Sequence, residues 1–184
     1  MNIQDVDREI KKELRAGMNG ILSARMREAG MPFHLIFGVE LPRLRSIAEE
    51  FPRDADLACR LWEQDIRETR LLAIMLMPPD SFVPETANAW AQTMLTAEEA
   101  QVMAMLLLPE TPHAKETSMA WLTGGGTLPA TCACLTLRHL IVRGKHISEA
   151  EKATIDELAS SMQANANLHL RKAIQILKDA LKAK

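Results

Sequence analysis

Apolar residues recur at helical spacing along almost the whole chain. Val6, Ile10 and Leu14 are four residues apart, which predicts a helix over residues 3–16. The same period continues further on, in the two stripes Leu44–Ile47–Ala48–Phe51 and Thr69–Leu72–Ala73–Leu76. Because residues at this spacing share one face of a helix, each stripe predicts an amphipathic helix with its apolar side toward a core.

Residues that start or stop helices separate these stripes in the first half of the chain. Gly30 is expected to end a second helix, which carries residues 21–26. Pro52 should stop the third helix, and Asp54 is expected to cap the fourth, which carries Leu57, Leu61 and Trp62. The pair Pro78-Pro79 should close the fifth.

The second half of the chain shows the same kind of signals. Helices are expected near residues 84–94, 96–108 and 112–123, and a last one from about Asn167 to the end. Two capping boxes, Thr96/Glu99 and Ser148/Glu151, are predicted to begin helices. Thr127 is predicted to cap a further helix that has Pro129 in its first turn. The run Gly124–Gly126 lacks the ending of a phosphate-binding loop and is interpreted as a turn.

No strand pattern competes with these helices. About ten helices joined by short turns predict an all-α fold, an α-α superhelix of HEAT-like helical repeats. We expect one such domain over residues 1–184, with an irregular helical bundle as the alternative. The length of one repeat is inferred from the pairing of helices, since the repeats share little sequence similarity.

Composition is consistent with this fold class and excludes several others. The chain has 11 Met, no Tyr and 4% aromatic residues, so the core must be built from Leu, Ala, Ile and Met. Three cysteines are too few for a disulfide framework, and the charged N-terminus does not resemble a secretory signal. The longest apolar runs, 71–79 and 102–109, are far shorter than the roughly 20 residues of a membrane span. We therefore expect a cytoplasmic protein that does not contact a membrane.

Charge is distributed unevenly around the net value of −2. Residues 1–70 hold 12 basic and 13 acidic side chains (−1), and residues 71–137 hold one base, Lys115, against six acids (−5). Residues 138–184 hold nine bases against five acids (+4). Proteins that bind duplex DNA usually present a basic face, because phosphate contacts supply most non-specific affinity. The middle third of this chain has the opposite sign.

Two segments carry a family resemblance. The first reads FGVELPRLRSIA at residues 37–48, and the second reads LWEQDIRETRLLA at residues 61–73. Their aromatic-Gly-Val, Pro, Arg, Leu-Trp and Arg-Glu-x-Arg positions resemble, in order and separation, those of the AlkD-like DNA alkylation repair proteins. The positions include polar residues that helix formation alone does not require. The two segments lie within a stretch of about forty residues, and the rest of the chain fits helix by helix.

The resemblance implies an alkylpurine DNA glycosylase that holds duplex DNA in a concave groove of HEAT-like repeats. In active members, a carboxylate stabilises the positive charge that develops on the sugar as the glycosidic bond breaks. The catalytic helix of the family carries a Trp and, one turn later, an Asp. Here Trp90 matches the Trp, but Met94 stands four residues on.

A second departure concerns the Arg-bearing helix of the family. It usually opens with an aromatic residue and an Arg, whereas the matching helix here opens at residues 127–131 with no cation before Arg138. The expected catalytic Asp and Arg are therefore missing, and the catalytic residues are unknown. We expect a protein that binds duplex DNA in the groove without the usual glycosylase carboxylate.

Candidate DNA-binding residues follow from the same comparison and from the charge map. They are two aromatic and four basic side chains: Trp90, Trp121, Lys115, Arg138, Arg171 and Lys172. Each has an ordinary structural alternative. The tryptophans could pack between helices, and lysines near a helix C-terminus complement the helix dipole.

Other residues that could carry chemistry have a simpler explanation. Arg67, Glu68 and Arg70 open a helix and predict a structural ion network, with Arg70 able to reach Glu63 or Asp65. The pair Cys132 and Cys134, with His139 seven residues after Cys132, is a weak metal signal, because alternate residues of a helix point apart. We predict no metal and no cofactor.

Three functions are compatible with these patterns. The first is the DNA-binding repair protein. The second is a non-catalytic scaffold of the same fold that binds a protein partner. The third is an enzyme of another class with a Cys/His site. A basic groove would favour DNA, and an acidic or apolar groove would favour a protein partner.

Overall fold

A computed structural model of the chain describes residues 2–124 and 126–183. Within these residues the backbone forms eleven α-helices, three short 3-10 turns and no β-strand. An isolated parallel β-bridge joins Leu35 and Ile66. The predicted all-α class is confirmed. Backbone contacts group the chain into two compact units, Met1–Ser81 and Phe82–Lys184. The single domain expected over residues 1–184 stays a prediction.

The first unit contains five helices. They are α1 (Ile3–Ala16), α2 (Gly20–Glu28), α3 (Leu41–Glu49), α4 (Ala55–Trp62) and α5 (Arg67–Leu76). Asp54 caps α4 as predicted, since its Oδ1 accepts a hydrogen bond of 2.8 Å from Leu57 N. Gly30 follows the end of α2 with φ +80°, a conformation that glycine adopts without strain.

Helix α5 is the centre of the first unit and packs on α3 and α4. All ten of its residues are buried, including Arg67, Glu68 and Arg70. The stripe read from the sequence therefore described only part of the helix. Four polar or charged side chains of this helix, Arg67, Glu68, Thr69 and Arg70, are thus inside the core, where each needs a hydrogen-bonding or ionic partner.

Helix α3 is shorter than its apolar stripe. It ends at Glu49, and Phe51 lies in the following turn, where it is half-buried. Its N–H donates to Ala48 O at 3.3 Å. The helix thus stops two residues earlier than the Pro52 signal implied, and Leu44 and Ile47 are fully buried as expected.

The second unit contains six helices. They are α6 (Pro84–Gln92), α7 (Ala97–Leu106), α8 (Ala114–Gly124), α9 (Thr127–Val142), α10 (Glu149–Met162) and α11 (Leu168–Lys182). Helix α9 is central, because α6, α7, α8 and α11 all pack against it. The second unit is therefore arranged around α9 in the way that the first is arranged around α5.

Caps in the second unit agree with the sequence in all but one case. Both capping boxes are confirmed, with Glu99 and Glu151 each accepting from a backbone N–H before its helix. The prediction for Thr127 is wrong: α9 begins at this residue and its cap is Gly126, with φ +77°. Gly126 replaces the threonine because the chain enters the helix in a conformation that favours glycine. Gly125, the middle of the predicted glycine turn, lies outside the described residues.

Candidate nucleic-acid interface

Glu68 is the best-connected of the residues that carry the family resemblance. Its side chain is fully buried, and its two carboxylate oxygens accept hydrogen bonds from three consecutive backbone N–H groups. The donors are Phe37 at 3.0 Å, Gly38 at 2.9 Å and Val39 at 3.3 Å. Arg67 Nη1 pairs with the same carboxylate at 2.8 Å and donates to Val39 O at 3.0 Å. The two motif segments thus bind each other through one buried carboxylate.

Arg70 completes the group of buried charges on α5. Its guanidinium lies 3.9 Å from the centre of the Trp62 ring and its Nη1 donates to Trp62 O at 2.9 Å. Trp62 itself is 4% exposed. Stacking on an aromatic face is a favourable position for a buried arginine. These motif residues therefore hold the first unit together, as the structural interpretation predicted, with Trp62 as a contact of Arg70.

Trp90 is placed in the core of the second unit. It is 4% exposed, and its ring meets Phe82 edge to face with centroids 5.1 Å apart. Met94, which stands where the family has its Asp, is 7% exposed. Glu99, fully buried, is used by the cap of α7, since it accepts from Leu95 N at 2.6 Å and Thr96 N at 2.9 Å. The surroundings of Trp90 are thus those of a packing residue.

Trp121 and Lys115 both lie on α8 and both have partners. Trp121 is 4% exposed, and its Nε1 donates to Asn88 Oδ1 at 2.8 Å, which ties α8 to α6. Lys115 Nζ pairs with Glu151 at 2.7 Å, which ties α8 to α10. The hydrogen bond from Lys115, with the backbone and hydroxyl of Ser148, lowers the pKa of Glu151 to about 2. Both residues join helices within the unit.

Arg138 lies in a groove bordered by α7, α9 and α11, which we call the α7–α9–α11 groove. Its volume is about 490 Å³, and it is lined by Gln101, Ala104, Met105, Leu135, Arg138, His139 and Ile176. The lining contains one permanent cation and no carboxylate. Among the described residues no acid lies within ion-pair distance of Arg138, so its charge faces the groove uncompensated.

Arg171 and Lys172 are exposed on α11. Lys172 lies one helical turn before Ile176, and therefore on the side of α11 that borders the groove. Neither cation has an acidic partner within ion-pair distance in the part of the chain that the structure describes. Of the candidate residues, Arg138 lines the groove and Lys172 lies one helical turn from Ile176 of its lining. Arg171 is exposed on the same helix, and Trp90, Trp121 and Lys115 are not among the residues that line the groove.

The groove also contains residues that the sequence interpretation missed. Met105 is 39% exposed and Ile176 is 43% exposed, and both line it. Ile176 lies off the buried stripe of α11, which consists of Leu170, Ala173, Ile174 and Leu177. An apolar residue on the polar face of an amphipathic helix was the signal that could have identified this surface.

The cysteine pair of α9 is inaccessible. Cys132 and Cys134 are fully buried, and burial raises the pKa of both thiols to about 12. A thiol with such a pKa is protonated at neutral pH and is therefore a poor nucleophile. Among the described residues no group of three His, Cys, Asp or Glu side chains could hold a metal ion. These thiols give no support to the Cys/His enzyme.

No helix among the described residues is both long enough and apolar enough to cross a membrane.

Fold and sequence together define the class of protein. One solved structure superposes with a TM-score of 0.81 over 95% of this chain and 74% of that chain, at 16% identity. It is described as a new family of proteins related to the HEAT-like repeat DNA glycosylases with affinity for branched DNA structures. This likeness shows that the fold is that of a HEAT-like helical-repeat protein, as predicted.

The sequence identifies the family. Residues 10–174 match the family described as DNA alkylation repair enzyme, and the chain belongs to this family. The resemblance read from the two motif segments is thereby confirmed, and the match extends far beyond them. No curated protein matches the sequence significantly.

Proposed function

We propose that this chain is a DNA-binding member of the DNA alkylation repair family that binds duplex DNA along the α7–α9–α11 groove without excising bases, in the cytoplasm. The observation that carries the proposal is the uncompensated cation in a groove that has no carboxylate in its lining. Phosphate oxygens are attracted to such a position, whereas an acidic lining would repel them. Membership of the family and the DNA affinity stated for the structural neighbour support DNA as the partner.

The proposal excludes excision for a structural reason. Cleavage of the glycosidic bond needs a negative group beside the sugar, where positive charge develops. Met94 replaces the expected Asp, and the nearby Glu99 is already bound to the two backbone N–H groups of its cap. Trp90, packed on Phe82, does not offer its ring to a base.

The binding surface is tested by removing one positive charge at a time. Arg138→Gln and Lys172→Gln should each weaken binding to a fluorescein-labelled duplex roughly fivefold, equivalent to about 1 kcal/mol. Each should also reduce the slope of log K against log salt concentration by about 0.9, the value for one lost phosphate contact. Arg53→Gln is the matched control, because Arg53 is exposed in the first unit and its removal changes net charge equally. Equal affinities for all four proteins would contradict the assignment of the groove.

Excision is tested separately with duplex DNA that contains methylated purines. With enzyme in excess, we expect no release of free methylated base above the spontaneous rate. Release at a rate proportional to enzyme concentration would show that another residue replaces the missing carboxylate.

A protein-binding scaffold is the second candidate, and the apolar lining of the same groove favours it. Ala104, Met105, Leu135 and Ile176 form a surface on which the apolar face of a helix could lie. The scaffold function is supported if the protein does not bind duplex DNA and does bind an acidic amphipathic helical peptide. The double variant Met105→Ser/Ile176→Ser should then lose binding of that peptide. Peptide binding that duplex DNA displaces would instead place both ligands on Arg138.

A further inference from the structure

The turn between α1 and α2 exposes two large apolar side chains. Met18 is 60% exposed and Ile21 is 71% exposed, and they are three residues apart. We call residues Met18–Ile21 the α1–α2 tip. A single exposed apolar residue is normal on a protein surface, but two on one short turn form a possible contact point.

The tip is held rigidly by the core of the first unit. Asn19 N donates to Phe37 O at 3.0 Å, and Asn19 Oδ1 caps α2 by accepting from Leu22 N at 3.1 Å. One turn later, Ser23 Oγ donates to Ile36 O at 2.6 Å. The segment that accepts these bonds is continuous with the residues bound by Glu68. Because the turn is fixed, little conformational entropy is lost when Met18 and Ile21 contact a partner.

Two exposed cations flank the tip, one on each side of it in the sequence. Residues 3–28 as a whole hold six basic and five acidic residues, and three of these bases, Arg8, Lys11 and Lys12, pair with acids of α1. Arg15 and Arg25 are exposed, and neither has an acidic group within ion-pair distance among the described residues. Arg25 lies one helical turn after Ile21, and Arg15 precedes Met18 by three positions. An anionic partner therefore fits this surface.

We propose that the α1–α2 tip recognises DNA in which base stacking is interrupted at a branch point. Met18 and Ile21 contact the face of the exposed base pair, and Arg15 and Arg25 contact the flanking phosphates. Side chains of these types are used as wedges between base steps, where unstacking is the main energetic cost. At a branch the bases are already unstacked, so contact with Met18 and Ile21 increases the affinity there. On continuous duplex the same contact would require unstacking, and the affinity is not increased.

DNA fits this surface better than a lipid bilayer does. Helices that lie on membranes need a broad apolar face, and α2 is nine residues long with Ile21 as its single large exposed apolar side chain. The inference rests on the proposed function, because it presupposes that the chain binds DNA.

The experiment compares the affinities of the full chain for a four-way junction and for a duplex of equal length by fluorescence anisotropy. Met18→Ser/Ile21→Ser should weaken junction binding roughly tenfold and leave duplex binding unchanged. Arg15→Gln/Arg25→Gln should weaken binding to the junction and lower its salt slope by about 1.8, two phosphate contacts. Leu95→Ser is the matched control, because Leu95 is 42% exposed in the second unit. The emission of a 2-aminopurine base at the branch should change when the wild type binds, because Met18 and Ile21 contact its face, and should not change with the double serine variant.

The outcomes separate this inference from the proposed function. If the wild type binds duplex DNA and the double serine variant keeps the full affinity for the junction, the tip proposal is wrong and the proposed function stands. If the wild type binds neither DNA, both are wrong. Binding of the wild type to vesicles of anionic lipid that requires Met18 and Ile21, with no preference for the junction, would also overturn the tip proposal.

Discussion

A single carboxylate, Glu68, connects the two sequence motifs of the first unit. The four groups that donate hydrogen bonds to it are all buried with it. If the carboxylate is removed, water cannot reach these donors to act as their acceptor. Breaking a buried ion pair on one side leaves the other charge uncompensated, which costs more than the pair itself contributes.

Glu68→Gln should therefore lower the free energy of unfolding by about 2–4 kcal/mol. Glutamine keeps the size of the side chain but offers one acceptor oxygen in place of two and leaves Arg67 without its counter-charge. Urea denaturation followed by circular dichroism measures the change. Glu63→Gln is the control at an exposed site, where a change within about 0.5 kcal/mol is expected. A loss for Glu68→Gln no larger than the control's would show that the network contributes little.

Gly38 and Gly30 provide a matched pair at the same scale. Both have positive φ, +76° and +80°, so any other residue is strained at either position. A Cβ on Gly38 would lie 2.3 Å from Asn19 O and 2.7 Å from Ser23 N, whereas nothing lies within 4 Å of one on Gly30. Comparing an alanine substitution at the two positions therefore measures the energetic effect of the close approach between the Gly38 backbone and the start of α2.

Gly30→Ala should cost about 1 kcal/mol through backbone strain alone. Gly38→Ala should cost at least about 2 kcal/mol more, because the added methyl meets main-chain atoms that cannot move without disturbing the start of α2. Thermal and urea unfolding of the two variants give the comparison. Similar losses for both would mean that the segment around Gly38 shifts easily.

Between elements, the Lys115–Glu151 pair joins α8 to α10 and makes their packing sensitive to acid. The pKa of Glu151 is lowered from its ordinary value to about 2, first by Lys115 and then by Ser148. A carboxyl whose pKa is depressed in the folded state stabilises that state above its ordinary pKa of 4.5, and this contribution disappears as the pH falls toward 2.

The difference in Tm between wild type and Glu151→Gln should therefore be largest at pH 6 and shrink between pH 4.5 and 2. Lys115→Gln should show the same pH dependence, since it removes the other half of the pair. Calorimetry at a series of pH values measures both. A difference that stays constant across this range would exclude the ion pair as its source.

At the scale of elements, most of the fold was predictable and the exceptions have physical causes. Helix positions and four caps followed from local signals, because capping and apolar spacing act within a few residues. Helix α5 was underestimated, since a helix buried on all sides has no polar face to define a stripe. Thr127 was assigned the cap that belongs to Gly126, because both residue types are favoured there.

The candidate interface was less predictable than the fold. Arg138 and Lys172 were found from the charge map. Arg138 lines the groove, and Lys172 lies one helical turn before Ile176 of its lining. Trp90 and Trp121 could not be placed from spacing, because a tryptophan in the core and one at a surface follow the same helical period. The groove itself depends on which faces of α7, α9 and α11 meet, and this is a property of tertiary packing.

The charge of the whole molecule determines how strongly it can hold DNA. With a net charge of −2 and one base between residues 71 and 137, few phosphate contacts are available. We expect weak duplex binding that falls steeply as salt rises from 50 to 200 mM, measured by anisotropy. Nanomolar affinity that persists at 150 mM salt would contradict this expectation and would require contacts to bases.

The three cysteines of the chain are distributed in a way that makes its unfolding easy to follow. Cys59 lies half-buried on α4 of the first unit, while Cys132 and Cys134 are enclosed in α9 of the second. A thiol reagent can modify the latter pair only after α9 has separated from its neighbours, so their labelling rate reports the opening of that unit. The native protein thus carries its own kinetic probes, and no residue has to be introduced to watch its two halves separately.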